Sequence, residues 1–181
     1  MDNIVLAKEN PEIEALSKQL GFTNTLFLEK DFLLLESKSK KEIDNLVHKA
    51  KGKPIFYRAT DEEALRYVLE RTPIKLIFGL EFIAAKDSVH HLRGGLDQVL
   101  CKIAAEKDKI IAFSLHDILQ AHHKDKLLAR MRFNIKLCQK YKVKMFLSTF
   151  ATNKWGLRSA KDLEAVWRVL GGQGKNELQL G

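Results

Sequence analysis

The residues best suited to bond-making chemistry gather between Ala84 and His123: Asp87, His90, His91, His116, Asp117, His122 and His123. Imidazoles and carboxylates are the donors a hydrolytic metal site needs. Their spacing argues against one. Adjacent histidines such as His90-His91 and His122-His123 point apart on a strand or a helix, so each pair offers one ligand. The first apolar run contains no HxH, and no HExxH occurs anywhere. A metal-dependent phosphoesterase therefore stands as the alternative reading, with exposed loop histidines preferred. Ser114, Ser148 and Thr149 end apolar runs, yet none sits in GxSxG or beside an evident base. Helix capping or a hydrogen bond to phosphate is expected of each. Arg93-Gly94-Gly95 before a helical pattern offers backbone N–H groups to a phosphate, although a plain turn fits equally well. A small-molecule enzyme using Ser148 and Gly94 for a phosphate is a third reading, which needs a deep pocket at the strand ends.

Charge is the stronger signal. Eight Lys or Arg lie between Lys124 and Lys144 against one acid, Asp125. At 100° per residue Leu127, Leu128, Met131, Ile135 and Cys138 form one apolar stripe. Arg132, Lys136 and Lys140 stack at i, i+4 and i+8 on the far side, with Lys126 and Arg130 beside them. No acids alternate with these bases, so the like charges repel each other unless a polyanion binds. Phe133 and Leu137 project into the same face. Further on, Lys154-Trp155-Gly156-Leu157-Arg158 sets an indole between cations. That suits base stacking, a protein contact or a lid over a barrel mouth.

The elements that must position these groups alternate. Strands are expected at Ile4–Ala7, Leu26–Leu28, Phe32–Leu35, Pro54–Arg58, Ile74–Phe82, Ile110–Leu115 and Met145–Phe150. Helices are expected after Asn10-Pro11, Ser39, Thr60 (a capping box with Glu63), Gly94-Gly95, Lys124 and Ser159. Leu96, Val99, Leu100 and Ile103 face inward on the fourth helix, and Trp167 joins Leu163, Val166 and Leu170 in the core. Continuous apolar strands between helices indicate an α/β fold with parallel strands buried on both faces. About seven strands predict an irregular, TIM-like barrel formed by a single domain over residues 1–172, with 173–181 a flexible polar tail. The functional loops of such a fold lie at the carboxyl ends of its strands.

The net charge of +8 is uneven. Residues 1–90 contain 14 Lys/Arg and 15 Asp/Glu, a net −1, whereas residues 91–181 contain 17 and 8, a net +9. A field concentrated in one half marks a binding surface for a polyanion. Two cysteines, Cys101 and Cys138, without CxxC are expected as buried thiols of a cytosolic protein. MDNIVLAKENPE shows no signal-peptide pattern, and no apolar run reaches the 18 or so residues of a membrane span.

Three segments in order, RGGLDQVLCKIAAEKDKIIAFSLHDIL, RMRFNIKLCQKYKVKMFLST and LRSAKDLEAVWRVLG, resemble the archaeal ribonuclease P protein component 3 family over residues 92–171. The resemblance implies a barrel related to metal-dependent phosphoesterases but without their metal ligands. It implies a cytoplasmic, non-catalytic subunit of the ribonucleoprotein that cleaves 5′ leaders from precursor tRNA. The protein would bind no cofactor, since the RNA subunit uses its own Mg²⁺. Its partners would be the ribonuclease P RNA, precursor tRNA, other ribonuclease P proteins and protein component 2, with which it would form a heterotetramer. Arg130, Arg132, Ser148 and Arg158 match the family as they stand. His116 occupies a position where the family usually has Arg, which would make its contact pH-dependent. Arg93 lies in a turn where the family more often has a Ser-Gly-type pair. The expected RNA contacts are therefore Arg93, His116, Arg130, Arg132, Lys136, Lys140, Ser148, Lys154 and Arg158.

Overall fold

The computed structural model describes residues 1–84, 87 and 92–178. Seven short strands run through it: β1 (Asp2–Val5), β2 (Asn24–Phe27), β3 (Leu33–Leu35), β4 (Ile55–Arg58), β5 (Leu76–Phe78), β6 (Ile110–Ser114) and β7 (Lys144–Ser148). Every ladder between them is parallel. β1 pairs with β2, and β3 to β7 form a five-stranded sheet in chain order. The two sheets meet at both margins through single bridges, Val5 to Ala151 and Leu28 to Phe32.

Side-chain alternation explains why the sheet is buried on both faces. Along each strand successive residues point to opposite sides. Phe56, Leu76, Phe78, Ala112 and Phe146 point one way and pack with Ile4, Phe32 and Phe150 into a cluster lined by strands of both sheets. Stacked rings fill it, Phe32 on Phe56 at 4.2 Å and Phe78 on Phe150 at 4.4 Å. Tyr57, Ile77, Ile111, Phe113 and Leu147 point the other way, into the helices. One inner and one outer apolar layer around parallel strands is consistent with the expected barrel.

The helices are α1 (Pro11–Gln19), α2 (Lys40–Lys49), α3 (Glu62–Arg71), α4 (Gln98–Glu106), α5 (Leu115–Gln120), α6 (Lys124–Tyr141) and α7 (Ala160–Leu170). Caps explain most of their starts. The Asn10 side chain accepts from Glu12 N at 2.8 Å, and Ser159 forms a reciprocal box with Asp162. Cys101 on α4 and Cys138 on α6 are both free and buried.

Four local expectations are corrected. Asp61, not Thr60, caps α3 by accepting from Ala64 N, while the Thr60 hydroxyl donates to Ser37 O. The strand expected to reach Phe82 ends at Phe78, because Gly79 turns left-handed (φ 75°) and a 3₁₀ turn, Leu80–Phe82, follows. The loop expected from His116 to His123 is largely α5, which Ser114 caps directly off β6. Val99 is 48% exposed rather than inward. In the polar tail Asn176 is buried, and its amide takes both backbone groups of Leu147, as a neighbouring strand would (2.7 and 2.8 Å).

Candidate nucleic-acid interface

α6 forms because its apolar residues recur at helical spacing between a single first-turn acid, Asp125, and a C-cap at Lys142. Leu127, Met131, Ile135 and Cys138 are buried against the sheet and α4. Arg132, Lys136 and Lys140 are exposed, as their spacing predicts. None of the three has an acidic partner within 4 Å among the described residues, and Lys140 instead lies over the Tyr141 ring at 5.6 Å. Phe133 and Leu137 are half-buried beside them. They line an open groove of about 1070 Å³ together with exposed Arg93, Leu92 and Val99. Arg93 N donates to Asp87 Oδ1 at 2.8 Å, leaving its guanidinium outside that contact.

Two of the expected RNA contacts are turned inward instead. Arg130 is 8% exposed. Its Nη1 donates to the carbonyls of Glu81 (2.7 Å) and Ala84 (2.9 Å), and its Nε to Asp87 Oδ1 (3.0 Å). One turn on, Asn134 Nδ2 donates to Gly94 O (2.6 Å) and Glu81 Oε1 (3.1 Å). These two side chains fasten the segments around Glu81 and Gly94 to α6. Ser148 is fully buried: its hydroxyl accepts from Ile4 N at 2.7 Å and donates to Asn3 Oδ1 at 3.0 Å. It joins β7 to β1. Helical periodicity marks Arg130 as flanking the wet face, but it cannot show that a chain segment crosses above it.

The remaining candidates form a second group around the loop after β7. Trp155 is 79% exposed, with Lys154 Nζ 5.4 Å above its ring. Lys154 is also paired with Glu12 at 3.0 Å, so its charge is partly neutralised. The Arg158 guanidinium donates to the carbonyls of Trp155 (2.9 Å) and Leu157 (2.6 Å), which fixes the loop while its outer edge stays exposed. His116 lies against this loop near Gly156, half-buried, with Nδ1 unpartnered. Ser148 and Gly94, paired in the small-molecule reading, face different neighbours: Ser148 the β1 edge, Gly94 the Asn134 side chain.

The two carboxylates among the potential metal ligands are otherwise engaged. Asp117 Oδ1 accepts from Arg58 Nη2 at 3.0 Å, and Asp87 accepts from Arg130 and the Arg93 amide, donors that hold its carboxyl below the usual range. Among the described residues no three His, Cys, Asp or Glu side chains converge on a point. His90 and His91 lie outside the described residues. Sequence reasoning missed Glu81, whose carboxyl sits fully buried in the turn after β5. Burial pushes it up to about 7, with Asn134 and Arg130 opposing the shift. An acid inside the apolar run Ile74–Phe82 was the available signal.

No family model matches the chain. A curated ribonuclease P protein component 3 from Archaeoglobus fulgidus is 30% identical over 142 residues, covering 71% of this chain and 71% of that protein. One from Methanosarcina barkeri is 37% identical over 79 residues, 42% of this chain and 33% of its own length. The fold superposes on a chain in the cryo-EM structure of archaeal ribonuclease P with mature tRNA at a TM-score of 0.81. That match covers 95% of this chain and 83% of the other at 20% identity, a likeness of fold.

Proposed function

Because the chain belongs to the ribonuclease P protein component 3 family, we propose that it serves as an RNA-binding, non-catalytic subunit of ribonuclease P. In this reading the particle cleaves precursor tRNA to give mature 5′ ends. The RNA subunit performs the chemistry with its own Mg²⁺, and this chain binds no cofactor. The protein works in the cytoplasm with ribonuclease P RNA, precursor tRNA, other ribonuclease P proteins and protein component 2, as a heterotetramer with the last. Its seven strands close into one irregular barrel related to metal-dependent phosphoesterase barrels; the bridges at both sheet margins and the shared aromatic interior support that closure. No helix among the described residues is long and apolar enough to cross a membrane.

The observation behind the RNA-binding role is the exposed row Arg132, Lys136 and Lys140 on α6, without acidic partners among the described residues. Cations spaced about one helical turn apart can follow a phosphate backbone and position RNA without reading its sequence. Each neutralised phosphate releases counterion, at a slope of roughly 0.7–0.9 in log K against log salt.

The test is precursor-tRNA cleavage reconstituted from the catalytic RNA and protein component 2, with and without this chain. A gain at low Mg²⁺ that requires the full mixture is expected. Arg132→Glu, Lys136→Glu and Lys140→Glu together should abolish that gain and lower the salt slope of RNA binding by about 2–3, with the circular dichroism spectrum unchanged. A matched triple reversal at exposed Lys8, Lys18 and Lys38 should do neither. Equal loss from the two triples would place the RNA on another face. Metal-dependent phosphate-ester hydrolysis by the chain alone, with no gain in the mixture, would favour the phosphoesterase.

A further inference from the structure

We propose that the cavity at the carboxyl ends of β4, β5 and β6 binds a single nucleotide, with its base on Phe82 and its phosphate among Arg58, His122, His123 and Lys126. The cavity measures about 460 Å³, within the range of roughly 300–1,000 Å³ typical of small-ligand sites. Arg58 ends β4, Glu81 and Phe82 occupy the turn after β5, and Asp117 and Gln120 come from α5 after β6. The first turn of α6 closes the far side with Lys126 and Leu127. Three strand ends thus converge where parallel α/β folds place their ligands.

The walls specify the ligand's chemistry. Phe82 is 48% exposed and lines this cavity, an aromatic ring only half covered by the protein. A planar base would cover it, with Leu127 and Ala121 as further apolar wall. Gln120 is exposed and offers both a donor and an acceptor to a base edge. His122, His123 and Lys126 belong to the same lining, are exposed and have no acidic partner within 4 Å among the described residues. Arg58 is one-third exposed in the same lining and held in place by Asp117 at 3.0 Å and Glu36 at 3.6 Å, so it is the fixed, partly neutralised cation of the site beside His122, His123 and Lys126. Free phosphate would leave Phe82 unused, and an apolar ligand would leave the cationic rim uncompensated. A base joined to a phosphate uses both.

The same group can arrive free or as an unpaired residue of an RNA strand. The RNA source rests on the function proposed above; the site does not. Two-dimensional amide NMR of the full chain, titrated with 5′-AMP, inorganic phosphate and adenosine, tests it. AMP should move the signals of Phe82, Gln120 and Lys126 more than either fragment does. Phe82→Ala should weaken AMP binding by roughly 5- to 150-fold, the range for one lost stacking partner, and Lys126→Ala should weaken both AMP and phosphate. Lys38→Ala, at an exposed lysine outside both surfaces, should change neither. Inorganic phosphate matching AMP, with Phe82→Ala silent, would overturn the proposal, as would AMP shifts confined to Arg132–Lys140. Competition by an unpaired oligoribonucleotide, and none by a fully paired duplex, assigns the source to RNA; competition by neither assigns it to free nucleotide. A failed reconstitution with AMP still bound would remove the ribonuclease P reading alone.

Discussion

Arg130 and Arg132 are two residues apart on one helix and do opposite things. Arg130 is held by two carbonyls and the Asp87 carboxylate, so Arg130→Ala strands two carbonyl oxygens and takes one donor from partly exposed Asp87, which keeps the Arg93 amide. The cost should be about 1–3 kcal/mol, measured as a fall in the urea midpoint. Arg132→Ala should stay within about 0.5 kcal/mol while weakening RNA binding. Similar midpoints for the two variants would mean that the buried clamp does not hold the segments around Glu81. Glu81 itself should make stability pH-dependent. Its folded value of about 7 lies above the usual carboxyl value of 4.5, so its contribution is fully present below about 4.5. It is lost as pH rises from there to about 7, because the unfolded chain releases the proton first. The groups around it are Arg130 and Asn134, which favour the anion, and Asp117, which opposes it. Glu81→Gln should remove a slope worth on the order of 3 kcal/mol across that window. Urea titrations at several pH values would show an unchanged slope if Glu81 is not the source.

At the scale of elements, the join between the turn after β5 and the approach to α4 depends on one glycine. Gly95 has φ +83°, and a Cβ there would lie 2.2 Å from the Leu80 carbonyl oxygen. Gly52, at φ +86°, has open space around the same position. Both Ala variants bear the left-handed strain, about 1 kcal/mol, but only Gly95→Ala forces two backbones apart. Its melting temperature should fall several degrees further than that of Gly52→Ala; equal falls would mean the Leu80 turn yields freely. The sequence disclosed much at this scale. Asn10, Ser39 and Ser159 marked helix starts because their caps are local chemistry, and all seven strands appeared as apolar runs. α5 escaped because six residues give too little periodicity, and its cap, Ser114, sits at the end of a strand. Asp61 was passed over for Thr60 because adjacent capping residues look alike until tertiary partners, here Ser37 O and Tyr57, claim one of them. At the candidate interface the exposed cations were legible from helical spacing, whereas Arg130 and Ser148 were not. Their burial comes from residues far away in sequence, Glu81, Ala84 and Asp87 for the one and Asn3-Ile4 for the other.

Across the whole molecule the most demanding junction is the one between β1 and β7. No ladder spans it. A single bridge, the amide-to-carbonyl bonds Phe150 to Ile4 (2.8 Å) and Leu6 to Ala151 (2.8 Å), and a set of side chains hold it together. Asn3 Oδ1 accepts from both Ser148 and Thr149, Ser148 in turn accepts from Ile4 N, and Asn176 saturates Leu147. Buried backbone groups at a sheet margin need partners, and here side chains provide them where a regular strand pair would have used its neighbour. Ser148→Ala therefore removes the acceptor of a buried N–H, at about 1–3 kcal/mol. Exchange of the Ile4 and Leu6 amides should accelerate more than that of Ile111, which lies in the continuous ladder between β5 and β7. An RNA-contacting serine predicts something different: weaker RNA binding, an unchanged melting temperature and no change in exchange at Ile4. Melting and amide exchange on this one variant decide between the two roles. A fall in stability with faster exchange at Ile4 would make this junction between β1 and β7 the point where the fold opens first.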